Sequence, residues 1–113
     1  MAKLTVETQG QVTIIRFGGS LAGAEVRDVE PKFNAIAHVP GKRIVVDLSN
    51  VLMINTPAIT IFVSAVMFQR SKGGKVVFTG TEDNIDRLLR ICKLDAIMPV
   101  IKDQAAAIAE AAK

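Results

Sequence analysis

The sequence predicts an α/β fold of the α+β, sandwich-like kind: a small mixed β-sheet of four to five strands packed with about four helices. Three observations carry this expectation. β-Branched and apolar runs recur at 3–8, 11–17, 42–48 and 75–78. After the first two, the runs alternate with segments whose apolar residues fall at helical spacing. Glycine, proline or small polar clusters separate the segments. Strand–helix alternation after an opening hairpin is the pattern of a mixed sheet with helices laid on it. At 113 residues, half of them hydrophobic and 22% charged, the chain fits one globular domain spanning 1–113. Five Phe without Trp or Tyr make the expected core largely aliphatic.

The elements follow in order. LTVETQ and QVTIIRF flank Gln9-Gly10, a hairpin signal, and Gly18-Gly19 marks the end of the second strand. Residues 23–37 place Val26, Val29, Phe33 and Ile36 near one helical face, but Pro31 predicts a late start, a kink or two short pieces. Pro40-Gly41 is a turn. In KRIVVDL, three successive aliphatic residues suggest a strand buried on both faces, as in a parallel sheet. Residues 57–71 form a helix closed by Ser71-Lys72-Gly73-Gly74. Lys75 to Phe78 is a second buried strand. Thr81-Glu82-Asp83-Asn84 opens a helix with the stripe Ile85, Leu88, Leu89 and Cys92. IMPVI, at 97–101, reads as a short extended piece held to an edge by Pro99. Asp103 caps an alanine-rich helix over 103–112.

Several function classes lack their residues. The net charge of +3 is spread over single and paired lysines and arginines, and no Trp or Tyr is present for base stacking, so nucleic-acid binding is not expected. One Cys and one His are far apart in sequence, so no metal site and no intrachain disulfide are expected. Cys92 reads as a core residue and His38 as an exposed residue at a helix end. Neither GGSLAG at 18–23 nor GGKVVFTG at 73–80 has the form of a phosphate-binding loop, so no nucleotide cofactor is expected. No carboxylate pair suggests acid–base chemistry: Asp47 ends a strand, and Glu82, Asp83 and Asp86 gather where a helix dipole favours them. The expectation is a protein without enzymatic activity. The N-terminus has no signal-peptide pattern and no apolar run is long enough to span a membrane, which predicts a cytoplasmic protein.

The stretch that invites a functional reading is LMINTPAITIF, 52–62. Thr56 reads as an N-cap and Pro57 as the first helical residue, where a missing N–H costs nothing. The helix behind them is apolar over more than one stripe: Ile59, Phe62, Val63 and Val66 form one, and Ala58, Ile61, Ala65 and Phe68 form a second. Thr60, Ser64 and Ser71 leave only a weak polar edge. Such a helix is either buried on two sides or shows an apolar face to a partner.

VVDLSNVLMINTPAITIFVSAV, 45–66, resembles the centre of a STAS domain, the family of bacterial anti-sigma factor antagonists. In that family an apolar strand, Asp-Leu-Ser and a short apolar link precede Asp-Ser-Ser/Thr-Gly at the start of an apolar helix. Gly19-Ser20-Leu21-Ala22 falls where the family has Gly-Glu-Leu-Asp, and Gly73 to Phe78 resembles its Gly-Gly plus strand. Residues 85–97 resemble its closing amphipathic segment. The resemblance implies the STAS fold and a regulator of transcription that binds a serine kinase of the GHKL type, itself the anti-sigma factor. It also implies a phosphoacceptor hydroxyl, which by position is Thr56. The implied contact surface comprises Gly19, Ser20, Leu21, Ala22, Asn55, Thr56, Pro57, Ala58 and Ile61, and a homodimer is a further partner in view. The chain departs from the family where Asn55 replaces Asp, Pro57 and Ala58 replace a hydroxyl residue and glycine, and Ser20 and Ala22 replace acidic residues. These departures suit an alternative role, a constitutive scaffold or transporter-associated module without a phosphorylation switch.

Overall fold

In the computed structural model, described for residues 2–22, 24–81, 83–91, 96–97 and 99–113, the chain runs β1 (Lys3–Gln9), β2 (Val12–Leu21), α1 (Glu25–Ala37), β3 (Arg43–Ile54), α2 (Thr56–Ser71), β4 (Lys75–Thr79), α3 (Asp83–Ile91) and α4 (Gln104–Ala112). Expectations placed on Gly23, Glu82 and Cys92 lie outside the described residues. The four strands form one sheet in the order β1-β2-β3-β4. β1 and β2 are antiparallel, joined through Gly10 at φ 63°, while β2–β3 and β3–β4 are parallel. The sheet is therefore mixed, as the alternation predicts.

The continuous aliphatic runs are explained by burial on both faces. Ile15, Phe17, Ile44, Val46 and Phe78 face the larger core, with Phe33 of α1, Phe62 of α2 and Ile85 and Leu89 of α3. Ile14, Val45 and Val77 face the opposite side, where Ala107 and Ala111 of α4 lie flat on the sheet. Four phenylalanines, Phe17, Phe33, Phe62 and Phe78, meet in tilted and edge-to-face contacts at 5.4–5.6 Å. This aromatic centre lies inside a mainly aliphatic core.

Three differences from the sequence reading matter for the site. β2 does not end at Gly18-Gly19 but continues to Leu21, and β3 does not end at Leu48 but continues to Ile54. The two extensions pair with each other, and the register slips between Arg16 and Gly18 and again between Gly19 and Ser20. Each slip places one extra residue on β3. These bulges break the alternation of burial, so Ser49 and Asn50 are exposed together, as are Leu52 and Met53. The third difference is α1, which runs through Pro31 as one helix. Pro31 and Arg27, whose carbonyl loses its partner, are both exposed, so water can replace the lost bond.

The expected ends elsewhere hold. Pro99 accepts from the Phe78 N–H and Ile101 donates to the Phe78 carbonyl, both at 2.8 Å, along the outer edge of β4. Asp103 caps α4 by accepting from the Ala106 N–H at 2.9 Å. His38 lies at the end of α1 but is half-buried rather than exposed, with its ring 4.9 Å from Phe68 and its Nε2 3.4 Å from Ser64 Oγ.

Candidate functional site at the start of the second helix

The long parallel pairing of β2 with β3 brings the two stretches singled out in the sequence to one end of the sheet. Gly19, Ser20 and Leu21 lie opposite Val51, Met53 and Ile54, and the Asn55 N–H donates to the Leu21 carbonyl at 3.2 Å. The end of β2 is thereby tied to the start of α2. Leu21 and Ala58 are buried, Ala22, Asn55 and Ile61 are half-buried, and Thr56 and Pro57 are exposed. Leu21, Ala58 and Ile61 line the core between α1 and α2, together with Phe17, Phe33 and Phe62. Of the nine expected surface residues, Leu21 and Ala58 thus support the site from beneath rather than present it.

The cap differs from the expected one. Asn55 is the N-cap, in extended conformation at φ −128° and ψ 179°, and its carbonyl accepts from the Ile59 N–H at 3.1 Å. Thr56 is the first helical residue and Pro57 the second. The Ile59 N–H, expected to donate to the Thr56 hydroxyl, is taken by the Asn55 backbone. Thr60 Oγ1 donates back to the Thr56 carbonyl at 3.0 Å. Thr56 itself is exposed. The first turn of α2 contains no acidic residue, so no carboxylate of its own neutralises the positive end of the helix dipole.

Upstream, Asp47-Leu48-Ser49 fixes the direction in which β3 leaves the core. Asp47 is 5% exposed. Its Oδ1 accepts from Ser49 N–H at 2.9 Å and Ser49 Oγ at 2.6 Å, and its Oδ2 accepts from Arg16 Nε at 3.3 Å. Arg16 also donates to Glu7 Oε1 at 2.7 Å. The bond to Glu7, with the charges of Glu7 and Asp47, holds the guanidinium pKa above its ordinary value against the opposing effect of burial. Gly80 closes over this group with φ +72°, and a Cβ there would fall 2.7 Å from Asp47 Oδ1 and from Ser49 N. The motif is thus a structural bracket beneath the site.

The two stripes of α2 are resolved in favour of burial. Ala58, Ile59, Phe62, Ala65 and Val66 are buried, with Ile61, Val63 and Phe68 half-buried at the margins. Thr60, Ser64 and Met67 form the exposed edge. Besides Met67 of that edge and Ile91 of α3, the most exposed large apolar side chains are Leu52 at 72% and Met53 at 58%, immediately before Asn55-Thr56. Sequence reasoning missed these two. The signal was LMI itself, of which the bulge turns Leu52 and Met53 outward while Ile54 stays in the core. An open groove of ≈ 630 Å³ runs beside Thr56 between the first turns of α1 and α2, lined by Ala24, Val26, Arg27, Glu30, Pro57, Thr60 and Ile61. Among the described residues no group of three or more His, Cys, Asp or Glu could hold a metal, and no helix is long and apolar enough to cross a membrane.

The model of the STAS domain family matches residues 3–107, and the chain belongs to that family. Solved structures share the fold at low sequence identity. An anti-sigma factor antagonist from Mycobacterium paratuberculosis superposes with a TM-score of 0.88 at 16% identity, covering 100% of this chain and 96% of that one. A STAS domain protein from Planctomyces limnophilus gives 0.83 at 19%, covering 98% of each. The Bacillus cell fate determinant SpoIIAA in its phosphorylated form gives 0.68 at 12%, covering 92% and 96%. Among curated proteins no sequence match was found.

Proposed function

We propose that this chain is an anti-sigma-factor-antagonist-like regulator of transcription. On this reading it acts in a bacterial cytoplasm as a single non-enzymatic unit that binds a protein partner, a serine kinase of the GHKL type that is also the anti-sigma factor. The contact surface is the end of β3, Leu52 and Met53, with Asn55, Thr56 and Pro57 and the neighbouring Ser20, Ala22 and Ile61. Thr56 is the control point. The observation that carries this is the exposed Thr56 at the first position of a helix whose first turn has no carboxylate, three and four residues after two exposed apolar side chains.

The chemistry is consistent with a switch. A phosphate on Thr56 would meet the positive end of the helix dipole and a free first-turn N–H, that of Ala58. Pro57 contributes none. About two added negative charges at neutral pH would then stand beside Leu52 and Met53. A partner fitted to the neutral, apolar form would be repelled. Titration calorimetry with the purified kinase partner tests this. Thr56→Asp weakens binding at least about tenfold, near 1.4 kcal/mol, and Leu52→Lys does the same through the apolar half of the surface. Equal titration curves for wild type and Thr56→Asp would remove the switch.

One observation favours a second reading. Pro57 occupies the turn that an acceptor-loop kinase must grip, and it is exposed and rigid. In that case the same surface serves a constitutive scaffold or transporter-associated module. Leu52→Lys would then weaken binding and Thr56→Asp would not.

A further inference from the structure

β1 is an edge strand of the sheet. It pairs with β2 through seven unbroken register positions, from Lys3–Gly18 to Gln9–Val12, and no other described strand pairs with its outer side. Edge strands are normally blunted by charged side chains, lysine above all, by proline, a bulge, an inward charge or a covering element, and β1 has charge only at Lys3 and Glu7. β1 has no proline and no bulge, and every residue in it except Leu4 is exposed. Val6 is 48% exposed on the face where Leu4 packs against the larger core, so this face has an apolar residue with nothing beyond it in the sheet.

We propose that β1 pairs antiparallel with β1 of a second copy of this chain, across a twofold axis at Thr5, turning two four-stranded sheets into one continuous sheet. The occupant is argued from the strand itself, because KLTVETQ is self-complementary in this register. Lys3 falls opposite the partner subunit's Glu7, and Leu4 opposite the partner subunit's Val6. Symmetry makes each pair occur twice, and the two Thr5 side chains meet at the axis. Opposite-charge, aliphatic and Thr–Thr cross-strand pairs all stabilise an antiparallel ladder. A shift of the axis to Val6 puts Lys3 opposite Gln9 and loses both ion pairs. A shift to Glu7 sets two carboxylates against each other, and a shift to Leu4 leaves Lys3 facing Thr5. Glu7 already gives Oε1 to Arg16, which leaves Oε2 for the lysine. Lys3 is exposed and forms no ion pair among the described residues. The pairing uses none of the residues of the proposed kinase surface, so the two readings fail independently.

The test is sedimentation of the untagged full chain up to about 1 mM, with cross-linking of single-cysteine variants. The wild type forms a reversible dimer, and Lys3→Glu, which faces carboxylate with carboxylate twice, raises its dissociation constant about tenfold or more. In a Cys92→Ser background, Thr5→Cys cross-links to a covalent dimer under mild oxidation, while Thr8→Cys, far from its own symmetry mate, does not. A chain that stays monomeric throughout overturns the proposal. So does a dimer indifferent to Lys3→Glu, or one that cross-links through Thr8→Cys as readily as through Thr5→Cys.

Discussion

At the residue scale, Gly80 and Thr56 show opposite degrees of constraint. Gly80 combines a left-handed φ of +72° with backbone and side-chain atoms of Ser49 and Asp47 2.7 Å from where a Cβ would sit. Gly80→Ala therefore costs strain and displaces the Asp47 bracket, and we expect a loss of about 3 kcal/mol in urea unfolding. Thr56 carries no such burden. Because Thr56 is the first helical residue and the N-cap position falls on Asn55, whose side chain makes no capping hydrogen bond, Thr56→Ala should change stability by less than about 0.5 kcal/mol rather than the ~1 kcal/mol of a lost cap. That separates a binding effect at this position from a folding one. The sequence could not choose between the two caps, since Asn and Thr are both good N-cap residues and stand side by side. What decides is tertiary: the Asn55 N–H is claimed by Leu21, which holds Asn55 extended as a continuation of β3.

At the scale of elements, regular patterns were legible and interruptions were not. The buried runs of β3 and β4 and the capped start of α4 follow directly from their residues. The far halves of β2 and β3 do not, because two bulges replace period-two burial with pairs of exposed residues. That is also why Leu52 and Met53, two of the eight residues of the proposed surface, escaped the sequence reading. Pro31 misled in the other sense: its exposed position makes it tolerable within α1. A further element-scale feature concerns Gln69, fully buried on α2. Its Oε1 accepts from Lys42 N–H at 3.0 Å and its Nε2 donates to the Ala37 and Val39 carbonyls, both at 2.7 Å. One side chain therefore ties α2 to the whole connection between α1 and β3. Gln69→Leu removes this partner from the buried Ala37 carbonyl and from the part-buried Val39 carbonyl and Lys42 N–H, and thermal or urea unfolding should show a loss of roughly 3 kcal/mol.

At the scale of the molecule, the sheet is covered unequally. α1, α2 and α3 close one face around the phenylalanine cluster, and among the described residues the short α4 with Ile101 packs on the other. α4 is tied down at its end by the ion pair of Lys75 with Glu110. That bond, with the charges of Lys75 and Lys113, lowers the Glu110 pKa from its usual 4.5. A carboxylate with a lowered folded pKa contributes stability fully above its unfolded value and loses it as pH falls through the folded one. Wild type and Glu110→Gln should therefore differ modestly in melting temperature at pH 7 and converge at acid pH. The fold class was readable because alternation, turns and caps agree with one another along the chain. The proposed function was suggested only by the resemblance to a family, carried most by 45–66, since Thr56 and its neighbours taken alone explain themselves as a helix start. The central claim is that this helix start is a phosphate-controlled docking surface. The most direct measurement is affinity capture from the source organism with wild type and Thr56→Asp as baits, reading both the retained proteins and the modification state of Thr56 by mass spectrometry. A GHKL-type kinase held by wild type and released by Thr56→Asp is the predicted result. The same proteins on both baits, with Thr56 unmodified, would contradict it.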